Sequence, residues 1–318
     1  MIFLELITAF LLAVIFLSFF AKHSWIADGC RHFKIQYILI STIILPIALL
    51  SGAFFVAFLN LLIIAVCVTE LRLTPHRQVH KNNKQKPTFK IIQFNKFFDN
   101  KNLEEIHQEI IDSDANIVVL QEADNNFAKK AKEIKSQYSH MFTDANDHPY
   151  GLMIFSKYPF LEEEKFPIKN TYEKSDGYRV VVHPEGFKDP IAIFSVHATN
   201  AFPKMSWEQR NALLYSASKE IKKYNAKHKI FTGDWNITPY SPIFKSVCEK
   251  TKLDVAYNYL IPAPSWPYIP QIPHALSKLF QIPIDHILFS KNLIAVRKKI
   301  GKALGSDHHM LEMDFIEK

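Results

Sequence analysis

The chain has 318 residues, is 48% hydrophobic and 22% charged, and carries a formal charge of +7. That length holds one ordinary domain plus an extension, or two small domains, and the charged fraction excludes a wholly disordered chain. The excess charge is local: residues 91–318 hold 29 basic and 28 acidic residues, whereas 72–90 hold six basic residues and no acidic one. A broadly basic nucleic-acid-binding domain is not what this distribution describes. The basic stretch suits anionic lipid headgroups or is simply a solvated linker. The eight glycines form neither a dinucleotide fingerprint nor a P-loop, and no nucleophile elbow, H-E-x-x-H or C-x-x-C occurs. Cys30, Cys67 and Cys248 are too few for a disulfide framework.

Residues 2–21 carry one charge, Glu5, and are apolar over about the 20 residues that a bilayer core requires. No basic segment precedes the run and no small-x-small site follows it, which favours a span over a cleaved signal peptide. Between Lys34 and Glu70 there is no charge at all. That stretch is too long for one span at about 1.5 Å per residue, and Pro46, Ser51 and Gly52 mark its middle. The pattern predicts a hairpin of spans over roughly 35–50 and 53–70, so about three helices within 1–72. The 22–34 loop and the C-terminal part then share one side of the membrane. Their basic residues favour the cytoplasmic side.

Residues 73–87 read as a basic juxtamembrane linker, and a soluble domain occupies 88–318. Strands are predicted at 90–94, 116–121, 151–156, 178–183, 191–197, 229–234, 284–289, 293–299 and 309–315. Helices fit 102–113, 206–224 and 240–250. The mixed order suggests a layered α/β sandwich more than a doubly wound parallel sheet.

Polar residues gather where these strands end. Asn95 follows IIQF, Glu122 follows VVLQ, His197 follows FSV, and Asp234 and Asn236 follow IFTG. Asp285 opens IDHILF, while Asp307 and His308 precede the last strand. Any one of these could be an ordinary turn residue; six such sites are hard to explain that way. Together they suit metal-assisted hydrolysis of a phosphate ester. Glu122, Asn95 and Asp307 offer the oxygen ligands a hard cation such as Mg²⁺ prefers, with Mn²⁺ the alternative. Asp234 could orient or deprotonate a water, and His308 could act as acid or base with Asp285 fixing its tautomer. Asn236 and His197 could donate to the non-bridging oxygens.

The set QFN at 93–95, LQE at 120–122, VH at 196–197, GDWN at 233–236, IDH at 284–286 and SDHH at 306–309 resembles the endonuclease/exonuclease/phosphatase superfamily, the DNase I-like fold. The resemblance covers about 88–318. It implies a four-layered α/β sandwich, here preceded by an N-terminal transmembrane region, with Mg²⁺ at the strand ends. It also implies Asn95 and Glu122 at the metal, Asp307 next to it, and Asp234 and Asn236 at the nucleophile and phosphate. His197 would contact the phosphate, and Asp285 would pair with a catalytic His308. Phe97 departs from the nuclease members, which often carry a polar residue there; Asn100 could substitute in binding. Arg179 stands where some relatives keep a phosphate-contacting arginine, and equally fits a surface strand.

The loop at 23–37 between apolar runs is similar to that of the membrane-anchored bacterial branch of this superfamily. That likeness implies a multi-pass protein of the inner membrane, some members acting on lipid-linked phosphates or pyrophosphates with the domain outside the cytoplasm. The facing of the domain therefore stays open. The proline-rich segment 262–274, with Trp266, is either a rigid packed loop or an apolar wall for a lipid-like substrate. The expected activity is phosphoester hydrolysis at the bilayer, on a substrate that is lipid-linked in the favoured reading. A membrane-tethered nuclease acting on nucleic acid and a catalytically silent scaffold are the alternatives.

Overall fold

Apolar residues at alternate strand positions dictate two sheets with one face of each turned inward. The computed structural model describes residues 1–74, 76–80, 88–168, 176–257, 262–267, 273–277 and 279–318. It opens with four helices: α1 (Ile2–Ser18), α2 (Trp25–Arg31), α3 (Lys34–Leu50) and α4 (Phe54–Arg72). α3 and α4 join through Gly52 at φ +75°, a left-handed turn that glycine adopts without penalty. By length and apolarity, α4 is long enough to cross a membrane, with 19 residues and a mean hydropathy of 2.4. The pair α2 and α3 would make a second span if counted as one element bent by 58°, and α1 is shorter, at 17 residues.

The remainder alternates strands and helices: β1 (Arg77–Gln78), β2 (Phe89–Asn95), α5 (Leu103–Ser113), β3 (Ile117–Gln121), α6 (Asn125–Lys130), β4 (His140–Asp144), β5 (Leu152–Ser156), β6 (Phe160–Pro167), β7 (Asp176–Val182), β8 (Ile191–Ser195), α7 (Lys204–Lys223), β9 (His228–Asp234), α8 (Pro242–Thr251), β10 (Asp254–Tyr257), α9 (His274–Ser277), β11 (Asp285–Phe289), β12 (Leu293–Ile300) and β13 (Leu311–Glu317). One mixed sheet runs β1-β10-β11-β9-β8-β7-β6 and the other β12-β13-β2-β3-β5-β4. The nine expected strands are all present. Sequence periodicity missed β1, β4, β6 and β10.

Phe89, Ile91, Val119, Val180, Ile193, Ile230, Ile287 and Met313 fill the space between the sheets. Leu213, Leu214 and Ala217 of α7 and Phe244 of α8 cover the outer face of the larger sheet. Ile106 and Ile110 of α5 and Phe127 of α6 cover the smaller one. The four layers of the expected sandwich follow.

The stretch expected as a free basic linker is partly built into the fold. β1 pairs in parallel with β10, and Arg77 meets Asp254 at 2.8 Å, so that charge is neutralised within the domain. Pro75 and residues 81–87 of the linker lie outside the described residues, as do residues 268–272 of the proline-rich segment.

Candidate active site

The inner faces of five strands change character along their length. Phe89 and Ile91 give way to Gln93 and Asn95 on β2, and Ile117 and Val119 to Gln121 on β3. Ile191 and Ile193 give way to Ser195 on β8, Ile230 to Thr232 and Asp234 on β9, and Phe289 and Ile287 to Asp285 on β11. Period-2 geometry keeps each polar residue in line with the apolar ones behind it. The polar ends therefore converge at one rim of the sandwich, on a dry floor.

At that rim, His308 Nδ1 lies 2.9 Å from Asp285 Oδ2, and its Nε2 lies 3.6 Å from Asp234 Oδ2. All three side chains are almost fully buried. Gln93 Nε2 donates to the other Asp285 oxygen at 2.9 Å and to Gln121 Oε1 at 2.8 Å. Gln121 in turn donates to Ser195 Oγ. Burial alone would raise the Asp285 carboxyl, but His308 and the hydrogen bonds from Ser265 and Gln93 hold it below its ordinary value. Burial disfavours a charged His308, yet Asp285 and Asp234 outweigh it and raise its pKa to about 10. His308 is thus an imidazolium at neutral pH, with Nδ1–H committed to Asp285. Asp234 is pushed up to about 7 by burial and by Asp285.

Glu122 follows β3 at φ +57°, a strained conformation that turns its carboxylate inward. Its Oε1 accepts from Asn95 Nδ2 at 2.9 Å and its Oε2 from the Phe98 amide at 2.7 Å. Asn95 Nδ2 also reaches Asp234 Oδ2 at 3.2 Å. His197 Nε2 stands 3.7 Å from both Glu122 and Asp234. Asn236, at φ +51°, donates its amide N–H to Asp234 Oδ1 at 3.0 Å and its side chain to the Ala198 carbonyl at 2.9 Å.

Asp307 sits at the lip, 43% exposed, with Oδ1 4.0 Å from His308 Nε2 and Oδ2 accepting from Trp266 Nε1 at 2.9 Å. Eight of the eleven residues singled out from the sequence thus share one network with Trp266 as a ninth. Two do not join it. Arg179 pairs with Glu162 and Glu164 and lies over the Tyr224 ring at 4.1 Å, so its guanidinium is spent on the flank of the larger sheet. Asn100 donates to the Lys96 and Leu304 carbonyls and accepts from Asn102, which makes it a loop latch with no amide group left for a substrate. Sequence reasoning left out Gln93, Gln121 and Ser265, which hold Asp285 from behind. The first two stood inside the quoted motifs, but as strand interior residues they looked structural.

The donor set fits a divalent cation. Glu122, Asp234, Asp285 and Asp307 face two histidines, and among the described residues no lysine or arginine lies within 4.0 Å of any of the four carboxylates. The nearest lysine in sequence, Lys96, is turned away to Asp124 at 2.9 Å. Asp285 is already paired with the His308 imidazolium, so the oxygen donors left for a hard cation are those of Glu122, Asp234 and Asp307.

The model of the Endonuclease/Exonuclease/phosphatase family matches residues 92–308. Among solved structures, the fold is similar to the endonuclease/exonuclease/phosphatase from Bacteroides vulgatus, with a TM-score of 0.62 and 17% identity over 73% of this chain and 100% of that one. D. rerio TDP2 complexed with a single-strand DNA product gives a TM-score of 0.56 and 17% identity over 72% of this chain and 99% of that one. The human Nocturnin catalytic domain with a bound sulfate anion gives 0.58 and 16% over 73% and 96%. At such identities the likeness is one of fold. No curated protein matches the sequence at a significant level.

Proposed function

We infer the activity from one premise: the chain belongs to the Endonuclease/Exonuclease/phosphatase family. That family is hydrolytic on phosphoester bonds. The reading is a membrane-anchored, divalent-cation-dependent phosphoesterase acting by in-line attack of water. The observation that carries it is the relay Asp285–His308–Asp234, at 2.9 and 3.6 Å, beside the Glu122–Asn95 pair.

Asp234, raised to about 7, accepts a proton from the attacking water as its oxygen bonds to phosphorus. The ester P–O bond breaks, and His308 Nε2–H protonates the departing oxygen. The proton on Asp234 then passes to Nε2 of His308, which restores the resting site. Asp285 keeps the imidazole oriented throughout, while His197 and the Asn236 amide stand beside the reacting phosphate. Mg²⁺ or Mn²⁺ held by Glu122, with Asp307 near it and Asn95 joining once its side-chain amide turns its oxygen from the Phe97 N–H to the site, would supply charge neutralisation at the phosphate.

The lipid-linked part of the reading is supported by the N-terminal helices. Ile2, Phe3, Phe10, Phe16, Phe54 and Phe58 are exposed, apolar surface that water does not favour. Where these helices meet the domain, a groove of about 690 Å³ is lined by Phe10, Ile26, Phe33, Ile40, Phe202 and Phe280. Phe202 lies five residues after His197 and Phe280 five before Asp285, so both loops of its wall lead on to the site. An acyl or prenyl chain suits it.

The test is hydrolysis by the purified full-length chain in detergent with Mg²⁺, beside His308→Ala and Asp234→Asn. The panel holds a lipid pyrophosphate, bis(p-nitrophenyl) phosphate and plasmid DNA. Turnover of the lipid substrate that both variants lose supports the reading. DNA cleavage alone would replace it with a tethered nuclease, and silence on all three with a scaffold.

A further inference from the structure

We propose that Asp28, in the N-terminal helical segment, is a positioning residue of the active site, acting through Arg210 on Asn236. The inference rests on the placement of Asn236 in the phosphoesterase site.

Arg210 projects from α7 and is fully buried. One terminal nitrogen donates to the Asn236 carbonyl at 3.0 Å, and the other to Asp28 Oδ2 at 2.5 Å. Asp28 is equally buried, on α2, and accepts further from Trp207 Nε1 at 3.1 Å and Ser241 Oγ at 2.9 Å. A carboxylate from the first helical segment therefore closes a polar network inside the catalytic layer. Two neighbouring contacts reach the same stretch of chain. His32 Nδ1 lies 3.0 Å from Thr238 Oγ1, and Arg31 Nε donates to the Tyr240 carbonyl at 2.5 Å.

Asn236 needs such support. Its backbone is left-handed, a conformation that asparagine adopts more readily than other residues with a Cβ, and three partners fix it there. Asp234 holds its N–H, Ala198 its side chain, and Arg210 its carbonyl. The rigid guanidinium plane carries the position of Asp28 to that carbonyl. Seating the N-terminal segment on the domain thereby sets the 235–241 turn beside the reacting phosphate.

The experiment is a double-mutant cycle in the full-length chain with Mg²⁺ and bis(p-nitrophenyl) phosphate, combined with hydrogen exchange of 234–241. Asp28→Asn keeps the shape and removes the charge. Its kcat should fall about tenfold with KM unchanged, and it should cost nothing further in an Arg210→Gln background. Exchange across 235–241 should rise, and Asp28→Glu should recover most of the rate. Equal losses in both backgrounds would overturn the proposal, as would unchanged rate and exchange. Trp207→Phe removes one hydrogen bond to Asp28 from outside the 235–241 turn and should act in the same direction, more weakly, should Asp28→Asn fail to fold. If the wild-type chain leaves the diester, the lipid pyrophosphate and DNA all intact, the phosphoesterase reading has failed. The exchange arm then still decides whether Asp28 sets the turn.

Discussion

Asp285 has both carboxylate oxygens occupied, and that occupancy limits His308 to one orientation. Gln93 takes one oxygen and His308 Nδ1 the other. Asp285→Asn would keep the shape but remove the charge that holds the imidazolium. We expect kcat to fall by about 10² to 10⁴, as for loss of a positioned acid or base, and the melting temperature to fall with it, because a buried ion pair loses one partner; an undiminished kcat would remove Asp285 from the relay. The adjacent His286 behaves oppositely. Burial against the Trp235 and Phe244 rings pushes its pKa down to about 4, and its Nε2 bonds the Ile237 carbonyl at 2.8 Å. An unfolded histidine titrates near 6.5. From there down to about 4, the unfolded chain takes up a proton that the folded chain refuses. The stability is full above about 6.5 and falls with pH by about 1.4 kcal/mol per unit for this group. His286→Gln should flatten that acid limb in denaturation curves between pH 6.5 and 4.5, and parallel limbs would contradict it. The two neighbours read alike in the IDH motif. Only packing distinguishes them, since Asp285 lies on the inner face and His286 points into the α7–α8 layer.

At the scale of elements, alternation made nine strands legible because each buries apolar residues on at least one face. β6 escaped notice because Glu162, Glu163 and Glu164 occupy an exposed edge, where charge protects against further pairing. The same edge explains why Arg179 takes the surface-strand alternative, since its partners Glu162 and Glu164 come from β6. β1 was illegible for a different reason: two residues carry no period. Within β9, Gly233 shows how closely the strands meet at the site. It has φ +143°, and a Cβ there would stand 2.0 Å from the Val196 carbonyl oxygen. Backbone cannot yield as a side-chain tip can. Gly233→Ala should therefore cost about 2 kcal/mol or more and displace Asp234, so that melting temperature and kcat fall together. A variant with wild-type stability and rate would show that this crossing has slack.

For the molecule as a whole, the sequence suggested three parts that divide at 72 and 88, and charge pattern alone could give no other answer. The contacts that join them are single pairs of residues far apart in the chain. Asp28 meets Arg210, Gln36 donates to the Leu279 and Gln281 carbonyls, and Trp25 packs edge-on to Phe202 at 5.1 Å. No periodicity announces such pairs. Their consequence is energetic. Breaking a buried ion pair by removing one partner costs about 3–5 kcal/mol, against a total stability of about 5–15 kcal/mol for a folded domain. Residues 88–318 expressed alone would leave Arg210 without Asp28. We expect that fragment to melt well below the full chain, or to aggregate, and Arg210→Met within it to restore part of the loss by replacing a stranded charge with an apolar side chain of similar reach. Thermal melts of the three proteins in one detergent settle the matter. A fragment that melts with the full chain, and gains nothing from Arg210→Met, would mean that the N-terminal helices only tether the domain. The expected result would make them part of its core.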